Sequence, residues 1–383
     1  MRNILIVTGL NTSEKRGGLE RWYINLSRLV PTDIKIYLFY NQKLPVDSLT
    51  SEFKSNRIYP SVFKFSEITE EVDKFRLFVE SNKVGYVIAH FENTVQVLPH
   101  AKKMGLKTAW SLFMGNYYYV NTDWRKNFKL FIGTQLHRLK IYRYLFYVDK
   151  VYCASHGVQK EFKNFFSHNH KFEVNYLGLE EEFLRSNLQK AQGRKKANTG
   201  EIVITCIAFH GKVKGIDIYV RAISELNKRG YDNVHYTQIG GSQFMDDRKD
   251  TLELHELASS LQIKNLSWLG IQNDVTPFLL ETDIYCQPSR HEALSFTVME
   301  AMSVELPVVA ANTCGLPELI HNDENGFLFE IDNYLDLADK LELLINDEEL
   351  RKRMGAKSLE IVNLPVFKTE NNIKKILEDL QIV

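Results

Sequence analysis

The chain has no excess charge of either sign: 48 lysines and arginines face 48 aspartates and glutamates. That balance removes the global field that draws a protein to nucleic acid. Cysteine is scarce, with four in 383 residues. Cys153, Cys206, Cys286 and Cys314 are scattered without disulfide or metal-ligand spacing. Each lies in or near an apolar run, so reduced, packed thiols in a reducing cytoplasm are expected. Proline is also scarce, at nine, beside 44% hydrophobic and 25% charged residues, a composition typical of soluble globular proteins. No run approaches the ~18 apolar residues of a membrane-spanning helix, so membrane contact is expected only at the periphery. The opening MRNILIVTGLN has an apolar run of about six residues and no cleavage site, so it reads as a buried strand rather than a signal.

What is present is an alternation. Strand-like runs cover Asn3–Thr8, Ile34–Phe39, Val84–His90, Lys107–Leu112, Lys150–Ala154 and Phe172–Leu177. They resume at Glu201–Ala208, Asn233–Gly240, Leu266–Gly270, Asp283–Gln287 and Leu306–Ala311. Continuous apolar strands between amphipathic helices imply parallel sheets covered on both faces. The length favours two domains. The polar stretch RSNLQKAQGRKKANTG marks the expected linker over 185–200. An N-terminal domain is expected over 1–184 and a C-terminal one over 201–364. Ile373, Ile376, Leu377 and Leu380 repeat at helical spacing after Pro365, so a helix within 365–383 needs a surface to cover.

Both halves open alike. The first strand runs into a loop with Gly17 and Gly18 before a helix; the second half runs through EIVITCIAFHGKVKG to a helix headed by Gly215. A strand, a glycine loop and a helix start leave amide N–H groups pointing outward, a ready anion site. Neither loop matches the dinucleotide or Walker fingerprint. One in each Rossmann-like half suggests a nucleotide cleft between domains.

Two carboxylates, Glu292 and Glu300, stand with seven residues between them in the otherwise apolar stretch SRHEALSFTVMEAM. The strand before them ends at Pro288, which puts SRHEAL in the loop at a strand's carboxyl end, where open α/β sheets bind ligands. Ser295 is a good N-cap for the helix FTVMEAM. Amides around Ser295, Phe296 and Thr297 would face a phosphate, and paired hydroxyls would satisfy the two carboxylates. On spacing alone, a solvated Glu292 and a charge–dipole role for Glu300 remain open.

The wider run SRHEALSFTVMEAMSVELPVVAANTCGLPELIHNDENGFLF resembles the signature of family 4 retaining glycosyltransferases. That signature has a Glu-x7-Glu motif, an EAM helix, a PVVA strand, a GxPE turn and an NGF turn. Similarity extends to Lys214–Gly215, to the Gly17–Gly18–Leu19–Glu20 loop and to WLGIQNDVTPFLLETDIYCQPS, and so covers nearly the whole chain. The resemblance implies an α/β fold of the GT-B type. Two Rossmann-like domains would face each other across a cleft, with the C-terminal helix crossing back to the first.

It also implies roles. Glu300 resembles the ligand of the ribose hydroxyls, and Glu292 the carboxylate that holds donor-sugar hydroxyls. Lys214 resembles the lysine on the donor diphosphate, where a point charge stabilises the leaving group. Gly17 and Gly18 resemble the loop that approaches donor phosphate and acceptor, and Gly270 and Ile271 fall where the backbone meets the base. The implied partners are a nucleotide-sugar donor, with uridine favoured over guanosine, and a glycan or lipid-linked acceptor in surface polysaccharide assembly. No metal ion or other cofactor is implied.

Three departures stand out. Counting back from Lys214 to the family's arginine reaches Ala208 or Phe209, leaving Lys212 or His210 to supply charge. Phe113 takes the place of a histidine, and Glu305 that of a glycine. A rival reading is a non-catalytic partner of the same fold that binds nucleotide sugar or glycan and stabilises a true transferase. A third is an epimerase or phosphorylase. Finally, Trp124–Lys150 carries seven lysines and arginines against one aspartate, with aromatics interleaved. Such a stretch suits an anionic bilayer or a helix that covers the sheet.

Overall fold

Every strand expected from an apolar run is a strand of the computed structural model, which describes residues 2–11, 17–64, 71–112, 128–165, 171–193, 201–242 and 248–383. The chain divides into two units, Met1–Gly178 with Lys368–Val383, and Leu179–Phe367.

In the first unit β1 (Asn3–Val7), β2 (Ile36–Tyr40), β3 (Ile58–Val62), β4 (Val84–His90), β5 (Lys107–Leu112), β6 (Lys150–Cys153) and β7 (Phe172–Val174) form one parallel sheet. Its order is β3-β2-β1-β4-β5-β6-β7. The connecting helices are α1 (Gly18–Leu29), α2 (Asp47–Ser55), α3 (Val72–Ser81), α4 (Leu98–Lys103), α5 (Phe128–Tyr144) and α6 (His156–Phe165). Leu5 and Ile6 are fully buried on opposite faces of β1, as a strand covered on both sides requires.

In the second unit α7 (Glu181–Gln192) leads into β8 (Val203–Ile207), α8 (Ile216–Lys228), β9 (His235–Ile239), α9 (Arg248–Ser260) and β10 (Leu266–Trp268). Then come α10 (Thr276–Glu281), β11 (Ile284–Gln287), α11 (Phe296–Met302), β12 (Val308–Ala311), β13 (Gly326–Phe329), α12 (Tyr334–Asn346) and α13 (Glu348–Val362). This sheet is parallel in the order β10-β9-β8-β11-β12-β13. Ile216, Tyr219, Ile223 and Leu226 of α8 recur at helical spacing and pack into the core with Ile204 and Phe329.

The C-terminal helix behaves as its spacing requires. In α14 (Thr369–Asp379) and the residue after it, Ile373, Ile376, Leu377 and Leu380 enter the first unit's core beside Trp22, Tyr23 and Leu26 of α1. Of the stretch expected as a linker, residues up to Gln192 belong to α7, whose narrow buried stripe is Leu184 and Asn187. Asn187 Nδ2 donates to Ser303 Oγ at 2.8 Å, so a polar side chain does the anchoring where composition suggested a free linker. Residues 194–200 lie outside the described residues, as does Phe113. The three fully buried cysteines, Cys153, Cys206 and Cys286, have thiols pushed well up by burial, consistent with inert packing.

Candidate active site

Strand order in the second sheet reverses between β8 and β11, and the loops leaving their carboxyl ends meet. The loop after β8 closes in a 3-10 turn, Lys212–Lys214, and Gly215 then takes a left-handed φ of 66° to open α8. The loop after β11 runs from Pro288 to Ser295, the N-cap of α11. The backbone N–H of Arg290 donates to the Val213 carbonyl at 2.8 Å, so the two loops are joined.

Lys214 Nζ donates to Glu292 Oε2 at 2.6 Å. The two side chains are 18% and 13% exposed, which rules out a freely solvated Glu292. The same carboxylate oxygen accepts from Ser289 Oγ at 3.2 Å, and Ser289 Oγ accepts from Gln287 Nε2 at 2.8 Å. Gln287 Oε1 in turn accepts from the Tyr285 hydroxyl at 2.9 Å and from Thr297 Oγ1 at 3.4 Å. Burial pushes the Tyr285 hydroxyl pKa well up, with nearby Cys206 and Glu300 adding to the effect, so it remains a donor. A connected polar network therefore runs from β11 to the ion pair. In a low-dielectric setting such networks hold their members in place.

Ser295 Oγ accepts from the Val298 N–H at 3.3 Å and pairs with Thr297 Oγ1 at 3.1 Å. Phe296 and Thr297 begin α11, both half-buried. Glu300 lies on its second turn and is buried at 8% exposure. A half-buried lysine–carboxylate pair stabilises a fold little, because desolvation offsets the attraction. At a strand-end switch point its chemical meaning is greater: a cation ready for an anion, and an acceptor ready for hydroxyls.

Residues 189–360 match the family model described as glycosyl transferases group 1. That part of the chain is similar to a group 1 glycosyl transferase domain. Over 168 residues it is 32% identical to an uncharacterized glycosyltransferase of Haemophilus influenzae, covering 43% of this chain and 44% of that one. Over 204 residues it is 28% identical to the capsular polysaccharide biosynthesis glycosyltransferase CapM of Staphylococcus aureus, covering 53% and 47%. The chain thus spans about half the length of the curated relatives it matches. Among solved structures, Anabaena HepE in complex with UDP-glucose superposes with a TM-score of 0.79 at 18% identity, covering 100% of both chains. At that identity the likeness is one of fold, and the fold is GT-B.

Within the second unit, Gly270 has a left-handed φ of 64°, and its carbonyl accepts from the Gly240 N–H at 2.8 Å. Ile271 follows with 60% of its surface exposed, beside Gly241. Lys212 is exposed, and its backbone carbonyl is engaged by Arg290 Nη1 at 2.6 Å. His210 is not an exposed loop side chain: it is buried, with ring nitrogens 2.8 Å from Thr251 Oγ1 and 2.9 Å from Gln238 Oε1. The ring over Lys214 Nζ, 5.3 Å away, belongs to Phe209, so an aromatic face stands near the position of the family's arginine. In the first unit Gly17 is the N-cap of α1, Gly18 opens that helix, and the Gly17 N–H donates to Glu20 Oε2 at 2.9 Å.

Sequence reasoning brought Lys214 and Glu292 together and passed over Gln287, Ser289 and Arg290. All three lie within or beside the SRHEALS segment, which was the available signal. Gln287 and Ser289 bond within that segment and its flanks, whereas the side-chain partners of Arg290 lie on other loops and on α8, and no spacing rule connects them.

Proposed function

We propose that the chain is a retaining glycosyltransferase that moves a hexose or related sugar from a UDP-linked donor to a glycan or lipid-linked acceptor, in surface polysaccharide assembly. The observation that carries this reading is the Lys214–Glu292 pair at the β8/β11 switch point. A donor diphosphate replaces Glu292 as the partner of Lys214. The released carboxylate then accepts hydrogen bonds from the sugar hydroxyls while Glu300 holds those of the ribose. As the bond from the anomeric carbon to the diphosphate breaks, positive charge grows on the sugar and negative charge on the leaving group. Lys214 stabilises the latter, with amides at Ser295, Phe296 and Thr297 and at the α8 head assisting. A phosphate oxygen of the leaving group takes the acceptor's proton, so Glu292 positions and does not attack.

Gly17 and Gly18 serve the donor phosphate and acceptor, Gly270 and Ile271 the base, and Lys212 adds positive charge. No metal ion or cofactor takes part, because Lys214 and the amides supply the counter-charge. Support for a uridine donor comes from the UDP-glucose complex of HepE, and for a polysaccharide role from CapM.

The test is a thermal-shift panel of nucleotide sugars on the purified chain, followed by transfer assays with and without EDTA. Ligands that bind only the folded state raise its melting point by mass action. The expected result is a shift with UDP-sugars and EDTA-insensitive transfer with the anomeric configuration kept. Binding without transfer by the chain alone identifies a non-catalytic partner instead, and release of free sugar without acceptor an epimerase-like enzyme.

A further inference from the structure

We propose that Arg290 is a positioning residue for Lys214, clamping the Lys212–Lys214 turn onto the loop that carries Glu292; this rests on the donor role given above to that pair. The guanidinium makes a two-pronged contact with the α8 carboxylate of Asp217, Nη1 to Oδ1 at 2.8 Å and Nη2 to Oδ2 at 2.7 Å. Nη1 also donates to the Lys212 carbonyl at 2.6 Å, and Nε to Asp332 Oδ1 at 2.6 Å. The Arg290 backbone N–H holds the Val213 carbonyl at 2.8 Å. One residue thus grips the chain on both sides of Lys214 and Gly215.

Its own loop is fixed as well. Thr313 Oγ1 donates to the Arg290 carbonyl at 3.0 Å, and the Gly315 N–H to the Glu292 carbonyl at 3.0 Å. The loop after β12 is therefore the anvil against which the clamp works.

Arg290 is an unsuitable phosphate ligand in this state. Two aspartates outnumber its single charge, and its side-chain N–H groups are directed to Asp217, Asp332 and a carbonyl. What it sets is the place of the turn, and hence the 2.6 Å separation of Lys214 from Glu292. A lysine in its place retains the charge and loses the planar fork that Asp217 requires.

The test compares Arg290→Lys, Asp217→Asn, Lys214→Ala and the Arg290→Lys/Lys214→Ala double variant, with UDP as the calorimetric probe. Misplacing a contact by about 1 Å costs up to roughly a hundredfold. Arg290→Lys and Asp217→Asn are expected to weaken UDP binding about tenfold in the parent, and Arg290→Lys less than about twofold when Lys214 is already alanine. Equal losses in both backgrounds, or none in the parent, would overturn the proposal.

Hydrogen exchange without ligand supplies the second readout. The Lys214 and Gly215 amides donate within the turn at 2.8 and 3.2 Å, so their protection reports whether it is held. Faster exchange there in Arg290→Lys, with the rest of the unit unchanged, is expected; unchanged exchange overturns the clamp. A parent chain that binds no UDP defeats the donor reading, while the exchange result still judges Arg290.

Discussion

A Cβ on Gly215 would lie 2.0 Å from the carbonyl oxygen of Pro288. No side chain fits that gap, and the left-handed φ of 66° already disfavours any residue but glycine. The closeness is what lets the Lys214 turn and the Glu292 loop share hydrogen bonds. Gly215→Ala is expected to push the loops apart, lower stability by about 2 kcal/mol or more, and strongly weaken nucleotide binding. Urea unfolding and UDP titration check both effects. An alanine variant with unchanged midpoint and affinity would show that the loops can separate at no cost.

Glu292 and Glu300 should separate in kinetics. Glu300 is buried one turn along α11, and the partners proposed for it are ribose hydroxyls, which are bound equally in ground and transition states. Glu300→Ala is therefore expected to raise the donor KM about tenfold with little change in kcat. In the proposed reaction Glu292 aligns the sugar beside Lys214, so Glu292→Ala is expected to lower kcat about a hundredfold. Normal transfer by both variants would refute the assignment.

Glu305 carries a cost that a glycine would remove. It sits just past the end of α11 with a φ of 61°, where its family resemblance calls for glycine. The Leu306 N–H donates back to the Ala301 carbonyl at 3.3 Å, the pattern of a helix closed by a left-handed residue. Glu305→Gly is expected to raise stability by about 0.5–1 kcal/mol, since relief of left-handed strain exceeds the added unfolded-chain entropy. A denaturant midpoint that falls on substitution would mean the glutamate side chain makes compensating contacts.

How much of this was legible in the sequence differs by element. Strands such as β4 and β5 were readable because continuous apolar runs bounded by polar turns have few other solutions. β3 was hidden by Pro60, which a parallel sheet tolerates here because β3 is an edge strand, and β13 by Asn325–Gly326 at its start, a pair that reads as a turn. The paired glutamates and Lys214 were readable from spacing and family resemblance. Arg290 was not, since its aspartate partners lie 73 and 42 residues away and only the folded sheet brings three loop ends together. The same holds for Phe209, whose ring lies against Lys214 Nζ where the family resemblance implies a cation.

The docking of α14 should depend on pH. Glu173 accepts from Lys375 at 2.7 Å and also pairs with Lys150, while Lys375 further contacts Asp379 at 3.4 Å. Burial pulls the Glu173 pKa up, but hydrogen bonds from Lys150 and Lys375 outweigh it and hold the carboxyl below its ordinary value of 4.5. A depressed folded pKa stabilises the fold above the unfolded value, and that contribution is lost as pH falls through the folded one. Melting temperature is therefore expected to drop as pH falls below about 4.5. The slope should be shallower in Glu173→Gln, whose melting point at neutral pH should be lower. Identical slopes in parent and variant would place the acid sensitivity elsewhere.

The basic stretch over 124–150 divides along its length. Residues 124–127 lie outside the described residues, and α5 begins at Phe128. Toward its end Ile141 and Leu145 are buried, at 2% and 0% exposure, as a helix covering the sheet requires. Earlier, Ile132, Leu136 and Leu139 present 43%, 63% and 63% of their surface at helical spacing, with Lys140 and Arg143 exposed nearby. Apolar side chains beside cations suit the surface of an anionic bilayer, where each basic residue contributes about 1 kcal/mol. No described helix is long and apolar enough to cross a membrane, so the contact proposed is peripheral. Flotation with phosphatidylglycerol vesicles is expected to carry the chain upward at low salt, less so at high salt, and much less after Leu136→Asp with Leu139→Asp. Leu136 and Leu139 are exposed, so the double variant should melt close to the parent, and retained flotation by a folded double variant would remove α5 from the contact.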